Sequence, residues 1–521
     1  MHHLAMEQSE SRTAKSVRNG MVAIVFFAIN LILQFFSRKI FLIGLGNEIL
    51  GLNSTLANML EFLNLAELGI GTAIGFSLFE PLHRNDRATI NEIITLQGMM
   101  YRRIGLGIMA VGMVLSAFFP LIFAKADFPI WYAYASFYAM LLSTMLGYFF
   151  NYKQVILSAS QQEYRIICSF RATQLVKVAL QMLAVSFLDN CFIWWVGLEA
   201  IFALISSITL HIATVRAFPF FDSKSCSYKN LRIKYASLTC KIKQLFFHKI
   251  GSFALYQSSP LIIYAFISLT EVTLYMNYML ITAGILQLFN AIFNGVGAGV
   301  GNMVAEQNEK LARNVFKEIF SLRFVSSWIT VLLFIMTSGS FVSLWIGDSY
   351  ILPPPTVILI GAILLMNLIR FTVDIFIQAN GIYSDIYAPI AEAAINLSMS
   401  VILGYFWKLD GILAGILISQ IAIIFLWKPY YLLSRYPIMK FTDYISMMTN
   451  HLITVAISSA IPLFIWLYID SISNLTGLLR FLSMTVILAV TLTFFNSIGL
   501  ILSGTSLKNA FIRLKSIRMV K

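Results

Sequence analysis

Charged residues are scarce in this chain: Asp, Glu, Lys and Arg together make up only 12% of its 521 residues. Soluble domains carry about 25%, so the composition excludes an ordinary soluble protein. Hydrophobic residues reach 59%, and mean hydropathy is +0.80. Apolar runs of about 20 residues recur, which is the length that a helix needs to cross the hydrocarbon core. The alternating strands of a transmembrane β-barrel are not seen, so the sequence predicts an all-α polytopic membrane protein.

Cysteine pairs and catalytic motifs are also missing. The four cysteines show neither metal-site nor redox spacing, so we predict no metal site and no disulfide framework. No Walker A, HExxH, CxxC or GxSxG motif occurs. We therefore predict that the chain is not an enzyme and uses no cofactor. Its net charge of +13 would suit nucleic acid, but the basic residues lie mainly in every second loop, so no nucleic-acid partner is predicted.

About fourteen apolar segments are predicted to be membrane spans. They are 20–43, 50–79, 102–124, 130–157, 166–188, 191–215, 250–269, 272–300, 319–343, 354–379, 386–406, 410–433, 446–469 and 476–503. Most of the 37 Lys and Arg residues fall in the tails and the even-numbered connections. Because cytoplasmic loops carry the excess of Lys and Arg, both termini are predicted to be cytoplasmic.

The order of these segments predicts a division of the chain. A cytoplasmic tail (1–19) precedes an N-lobe of six helices (20–215), and a cytoplasmic amphipathic linker (216–249) leads to a C-lobe of six helices (250–433). Two additional helices (434–503) and a basic cytoplasmic tail (504–521) follow. The pairs Gly71-x-x-x-Gly75 and Gly297-x-x-x-Gly301 stand in similar surroundings, which suggests a parallel repeat between the lobes. The apolar face of the linker predicts a helix on the anionic inner leaflet.

Several spans carry polar stripes, which indicate a hydrated cavity because a charge at the bilayer centre costs about 2.5–3.5 kcal/mol or more. The polar residues that would line it or couple an ion are Glu61, Asn64, Glu67, Asn277, Asn294, Asp374, Glu392 and Asn396. Structural alternatives stay open at each stripe. Lone amides can join helices, Arg370 and Asp374 can neutralise each other, and Arg38 and Lys39 can reach the interface.

Residues 37–94, SRKIFLIGLGNEILGLNSTLANMLEFLNLAELGIGTAIGFSLFEPLHRNDRATINEII, resemble the N-terminal signature of Wzx-type polysaccharide and O-antigen flippases. These belong to the multidrug/oligosaccharidyl-lipid/polysaccharide (MOP) exporter superfamily. The segments LTEVTLYMNYMLITAGILQLFNAIFNGVGAGVGNMVAEQNEK, FVSLWIGDSYIL and IRFTVDIFIQANGIYSDIYAPIAEAAINL are similar to later blocks of the same family. The resemblance covers most of residues 15–435, and its motifs are diffuse.

This resemblance implies two six-helix lobes around a central cavity that opens alternately to each leaflet, plus two C-terminal helices. It implies a bacterial inner-membrane flippase that moves undecaprenyl-pyrophosphate-linked oligosaccharide repeat units for surface polysaccharide and lipopolysaccharide. Its partners would be that lipid-linked oligosaccharide, membrane lipids, a polysaccharide polymerase and chain-length proteins. A pyrophosphate needs cations, because Arg presents bidentate donors to phosphate oxygens. The cationic candidates are Arg38, Lys39, Lys177 and Arg370.

Two further functions remain open. Carboxylates beside these cations could bind H+ or Na+ and couple transport to an ion gradient, as in an ion-coupled multidrug efflux transporter of the same superfamily. That reading favours an acidic, aromatic cavity over a cationic one. A membrane enzyme of polysaccharide assembly is disfavoured, because the predicted outer loops are too short for its extracytoplasmic part.

Overall fold

The structure is a computed structural model that describes residues 12–67, 69–219, 228–236, 238–239, 242, 258–293, 296–305, 308–382, 385, 387–473 and 475–503. Its contacts divide the chain into unit 1, Met1–Thr273, and unit 2, Leu274–Lys521. Across the described residues the secondary structure is helical, without a strand. Ten of the described helices are long and apolar enough to cross a membrane, or eleven if one bent pair counts as a single span. The predicted fold class, an all-α polytopic membrane protein, is confirmed.

Eight of the helices that the structure describes in unit 1 are numbered here in chain order. They are α1 Arg12–Leu45, α2 Asn47–Leu63, α3 Ile70–His83, α4 Arg87–Ala117, α5 Trp131–Phe149, α6 Glu163–Phe187, α7 Cys191–Ala217 and α8 Tyr228–Lys234. Helix α5 packs against α2, α4 and α7, and α6 packs between α1 and α7. The core of this unit is apolar and aromatic, with Leu52, Ile74 and Phe137 fully buried.

Helix α9, Leu269–Phe293, begins in unit 1 and continues into unit 2. The other helices of unit 2 are α10 Val296–Ala305, α11 Glu309–Ile346, α12 Pro354–Ile369, α13 Phe371–Ala379, α14 Tyr387–Gln420, α15 Lys428–Arg435, α16 Phe441–Ile472 and α17 Gly477–Leu502. Helix α11 packs against α12, α16 and α17, and α12 packs against α14. The two helices predicted as additional, α16 and α17, are therefore packed elements of unit 2.

Side-chain caps mark where two of the described helices begin, α4 and α11. Asp86 precedes α4 and accepts hydrogen bonds from the amide and hydroxyl of Thr89 at 3.1 and 2.6 Å. These bonds favour the ionised carboxylate and lower the pKa of Asp86. Asn308 caps α11 in the same way, since its Oδ1 accepts from the amide of Leu311 at 3.0 Å.

Two predicted spans are broken in the structure. The second, 50–79, divides into α2 and α3 around a 3-10 turn at Asn64–Glu67, and Gly69 takes a left-handed φ of +94°. The tenth, 354–379, is interrupted more mildly between α12 and α13: Arg370 keeps helical φ and ψ angles of −56° and −26°, and Pro354–Ala379 remains one candidate span. The seventh predicted span, 250–269, is described only from residue 258. Breaks within spans are tolerated only where neighbouring protein satisfies the freed backbone groups.

The linker differs from its sequence interpretation where the structure describes it. Leu231, Leu238 and Ile242 belong to the face that predicts binding to the membrane surface, yet all three are buried in the core of unit 1. Glu92 on α4 accepts hydrogen bonds from Lys234 Nζ at 2.5 Å and from Tyr235 Oη at 2.6 Å. Apolar side chains gain the same transfer free energy against protein as against lipid, so periodicity could not separate the two outcomes.

Helix α14 is a tight hairpin rather than one continuous helix. Its φ and ψ angles leave the helical region at Trp407 and Lys408, so the split predicted at 406–410 is confirmed. Glycines let the arms touch: a Cβ built on Gly411 would lie 2.0 Å from the carbonyl oxygen of Leu403, and one on Gly415 would lie 2.4 Å from the amide nitrogen of Ser400. Neither backbone group can move aside as a side chain would.

We expect Gly415→Ala to lower the thermal stability of the protein. Overpacking of this kind costs about 1–3 kcal/mol, although alanine by itself favours a helix over glycine. Thermal unfolding in detergent, followed by fluorescence-detected size exclusion, measures the change. Gly107→Ala on α4 is the matched control, because nothing lies within 4 Å of its added Cβ. Equal melting temperatures for the two variants would contradict the close approach of the two arms.

Candidate functional site

A cluster of charges lies at the break between α12 and α13. Arg370 Nε donates to Asp374 Oδ2 at 2.8 Å, and Lys428 Nζ lies 3.0 Å from Asp374 Oδ1. The three side chains are between 18% and 24% exposed, so they are sheltered but open to a small polar group. We call Arg370, Asp374 and Lys428 the charge triad. In the triad two cations contact one carboxylate.

A π-helical stretch directly precedes Lys428 in the chain. Residues Ile421–Trp427 form the wider turns, and α15 begins at Lys428 directly after them. Such turns shift the direction of the side chains that follow and are frequent at functional sites. Lys428 is therefore the first residue of α15, after the second arm of the α14 hairpin and the π-helical turns that follow it.

A buried polar column on α14 adjoins the triad. Glu392 is 3% exposed and interacts electrostatically with all three members of the triad. Asn396 follows one turn later at 1% exposure, and its Oδ1 accepts from Ser400 Oγ at 3.4 Å. Within the described residues, Glu392 Oε1 and Asn396 Nδ2 are buried atoms without a hydrogen-bond partner. Such atoms are costly in a folded interior unless something fills their bonding capacity.

Behind the same break lies Arg323, the largest side chain in the described core that is almost fully buried, at 2% exposure. Its Nε donates to the carbonyl of Leu368, near the end of α12, at 2.8 Å. Its guanidinium carbon lies 4.7, 4.4 and 4.6 Å from the ring centroids of Phe289, Phe293 and Phe371. Desolvated cation–π contacts are worth about 2 kcal/mol each, which offsets part of the cost of burying this charge.

In unit 1, Lys177 is paired rather than free. Its Nζ lies 2.7 Å from Glu199 Oε1, and Gln181 Nε2 donates to Glu199 Oε2 at 3.2 Å. The side chains of Lys177 and Glu199 are 12% and 18% exposed. A π-helical turn, Ile167–Arg171, precedes Lys177 on α6, just as one precedes Lys428.

Tyrosines hold the carboxylate at the break between α2 and α3. Glu67 accepts from Tyr101 Oη at 2.8 Å and from Tyr148 Oη at 3.1 Å. The Tyr148 hydroxyl also lies 3.2 Å from Asn64 Oδ1. Glu61, one turn earlier, is exposed. Glu67 and Asn64 thus form an acidic, aromatic group in unit 1, and this placement gives them a structural role at the break.

The remaining predicted residues are dispersed. Arg38 is half-buried on α1 and donates from Nη2 to the carbonyl of Thr273 at 3.3 Å, while Lys39 is exposed. Asn277 is fully buried on α9. Asn294 lies outside the described residues. Of the predicted site residues, the structure brings together Arg370, Asp374, Glu392 and Asn396 in unit 2, and Asn64 with Glu67 in unit 1.

Sequence reasoning missed five polar residues of these clusters: Lys428, Arg323, Glu199, Tyr101 and Tyr148. One signal for Arg323 was available, because a lone arginine within an apolar span is costly. Glu199 stood alone on its own span, so its partner could come only from a neighbouring helix. The tyrosines gave no signal, since aromatic residues are common throughout this chain.

No protein-family model matches the sequence, and no curated protein matches it. Solved structures do match. The lipid II flippase MurJ in an inward closed conformation aligns over 92% of this chain and 99% of its own, with a TM-score of 0.61 and 14% identity. An inward-facing multidrug resistance MATE family transporter of the MOP superfamily aligns over 80% of this chain and 99% of its own, with a TM-score of 0.58 and 12% identity. The chain shares its fold with these two solved structures.

Within the MOP fold, function follows from the sites that each chain builds on it. An outward-facing MATE family transporter is similar as well, with a TM-score of 0.52 and 13% identity over 83% of this chain and 98% of its own. Flippase and multidrug transporter structures thus both share this architecture.

Proposed function

We propose that the chain is a flippase that moves undecaprenyl-pyrophosphate-linked oligosaccharide repeat units across the bacterial inner membrane by alternating access. The O-antigen or another surface polysaccharide would be the end product. The charge triad carries this proposal. Arg370 and Lys428 place two cations beside one carboxylate on apolar, membrane-spanning segments, where ionisable side chains are expensive and mark a functional site by default.

A pyrophosphate suits the triad chemically. Arg370 offers planar donors that match two phosphate oxygens, and Lys428 adds a compact point charge. Asp374 holds both cations in place between cargo molecules. A pyrophosphate that approached would compete with Asp374 for the same donors, so binding and release would exchange one anion for another at little net cost.

The column beside the triad supplies a coupling group. Glu392 and Asn396 present buried oxygen and nitrogen atoms without protein partners among the described residues, and oxygen ligands suit Na+ as well as a proton. Entry of either ion beside Glu392 would change the field at Arg370 and Lys428. We propose that H+ or Na+ binding there biases the triad between cargo-bound and cargo-free states.

A second function, ion-coupled drug efflux, has one observation in its favour. Glu67 with Tyr101 and Tyr148 is an acidic, aromatic group of the kind that suits cationic drugs. Both tyrosine hydroxyls are already donated to the carboxylate, however, so the group is internally satisfied. The charge triad is cationic and would repel a cationic drug, and for this reason we place efflux second.

Reconstitution tests the proposal directly. Purified full-length protein in liposomes should carry an undecaprenyl-pyrophosphate oligosaccharide from the outer leaflet into a compartment that an added glycosidase cannot reach. Empty liposomes give the background rate. Proton and sodium gradients are imposed in separate runs on the wild type and on Glu392→Gln. The coupling ion is the one whose gradient accelerates translocation by the wild type but not by the variant. Accumulation of ethidium with no protection of the glycan would replace the flippase proposal with efflux.

A further inference from the structure

A cleft of about 430 Å³ with a mixed apolar and polar lining lies in unit 2. It is formed by the end of α11, the end of α16 and the beginning of α17. Its volume falls within the range of about 300–1,000 Å³ that is typical of small-molecule sites. The charge pattern of the sequence predicts that this end of the helices faces away from the cytoplasm, since both termini are predicted on the other side.

An ion pair between Arg480 and Asp470 lies in the cleft, and its two hydrogen bonds use only one of the two carboxylate oxygens. Arg480 Nε and Nη2 both donate to the same oxygen of Asp470, Oδ1, at 3.0 and 2.8 Å. The pair therefore offers a carboxylate oxygen that accepts and guanidinium hydrogens that donate, side by side. A net-neutral pair of this kind favours neither an anion nor a cation. It matches two neighbouring hydroxyls, one of which donates to Asp470 while the other accepts from Arg480.

Aromatic and hydroxyl groups complete the lining. Trp466 and Phe481 face the same cleft as Ser340 and Ser343. The indole nitrogen of Trp466 is buried and has no hydrogen-bond partner among the described residues, although buried indole N–H groups usually find one. Aromatic faces carry negative charge density, so they attract the weakly positive C–H groups on the flat face of a sugar ring.

We propose that this cleft binds a neutral pyranose. The ring would lie against Trp466 and Phe481, with neighbouring hydroxyls on Asp470 and Arg480. This inference rests on the proposed function to the extent that the sugar would belong to the flipped glycan, which would bind the cleft after crossing. A glycolipid headgroup in the same leaflet presents the same chemistry.

Binding can be measured without translocation. Full-length protein in nanodiscs is titrated with methyl glycosides of glucose, galactose, mannose and N-acetylglucosamine, and contact is read by saturation-transfer NMR. At least one sugar should receive saturation at its ring C–H groups. The affinity for that sugar should fall at least tenfold in each of three variants: Asp470→Asn, Arg480→Gln and Trp466→Leu. Nanodiscs that contain a glucosyl diacylglycerol test the second source, because a headgroup that fills the cleft would compete with the free glycoside.

A matched control exists at the other end of the same helices. Arg313 on α11 and Asp443 on α16 form a similar exposed pair at 3.6 Å, so Arg313→Gln and Asp443→Asn should bind the sugar as the wild type does. Sugar binding is compared only among variants whose melting temperatures equal that of the wild type. If Arg480→Gln fails to fold, Arg480→Lys replaces it, because lysine keeps the positive charge. Absence of saturation transfer with all four glycosides, or equal transfer in the cleft variants, would overturn the site. Either result would leave the outcome of the liposome assay, and so the proposed function, unchanged. Conversely, absence of translocation together with intact sugar binding would overturn only the proposed function.

Discussion

Arg370→Gln is expected to reduce translocation of a lipid-linked oligosaccharide in liposomes about 10- to 100-fold while the protein stays folded. A hydrogen bond to a charged group is worth about 1.5–3 kcal/mol, and each 1.4 kcal/mol is a factor of ten. The fold should survive because Lys428 still neutralises Asp374 from 3.0 Å. Initial rates of glycan protection, normalised to the amount of reconstituted protein, measure the effect.

Two related variants sharpen this experiment. Arg370→Lys keeps a cation but loses the planar donors, so we expect an intermediate rate. Asp374→Asn removes the carboxylate that Arg370 and Lys428 share, so we expect a loss of stability as well. Arg313→Gln, which removes an exposed arginine from the same unit, should transport normally. Wild-type rates for Arg370→Gln would mean that the triad serves only to hold the helices together.

Arg323→Ala is expected to destabilise unit 2 more than any other single change considered. It empties the space between three phenylalanine rings and leaves the Leu368 carbonyl without its donor. Large-to-small changes in a core cost about 2–5 kcal/mol, and an unsatisfied buried acceptor adds about 1–3 kcal/mol. At about 2–4 °C per kcal/mol for a domain of this size, the melting temperature should fall by roughly 10 °C or more.

Arg323→Met separates shape from charge. Methionine fills most of the volume and packs well against aromatic rings, so most of the stability should return if filling the cage is what matters. Transport should nevertheless fall, because the break that presents Arg370 loses its hydrogen bond from Arg323 Nε. Full recovery of both stability and transport by Arg323→Met would show that the buried charge has no role in positioning the triad.

The membrane spans were predictable from sequence because their signal is local. An apolar run of about 20 residues has few alternatives to a spanning helix. Even the short connection near Trp407 and Lys408 was visible, and the structure turns the chain there. The breaks at Asn64–Glu67 and at Arg370 were not, because polar residues within a predicted span indicate a polar face and do not by themselves predict where the helix is interrupted.

The polar stripes in the sequence predicted some members of each cluster, but not the contacts that join residues from different helices. Helical periodicity places Asp374 one turn after Arg370 and Asn396 one turn after Glu392, so contacts within a helix could be expected. Lys428 is 54 residues from Asp374, and Glu199 is 22 residues from Lys177. Contacts of this kind depend on which helices become neighbours, and that choice carries no periodic signal.

The sequence by itself determined that this protein is a bundle of membrane-spanning helices with scarce, clustered polar groups, because hydrocarbon length and charge cost act on each segment separately. Only the tertiary structure decided that Lys428 completes a triad with Arg370 and Asp374, that Arg323 lies among three phenylalanines, and that Leu231, Leu238 and Ile242 are buried in the core of unit 1. Those outcomes depend on side chains from distant segments that meet, and the free energy of each contact exists only once both partners are in place.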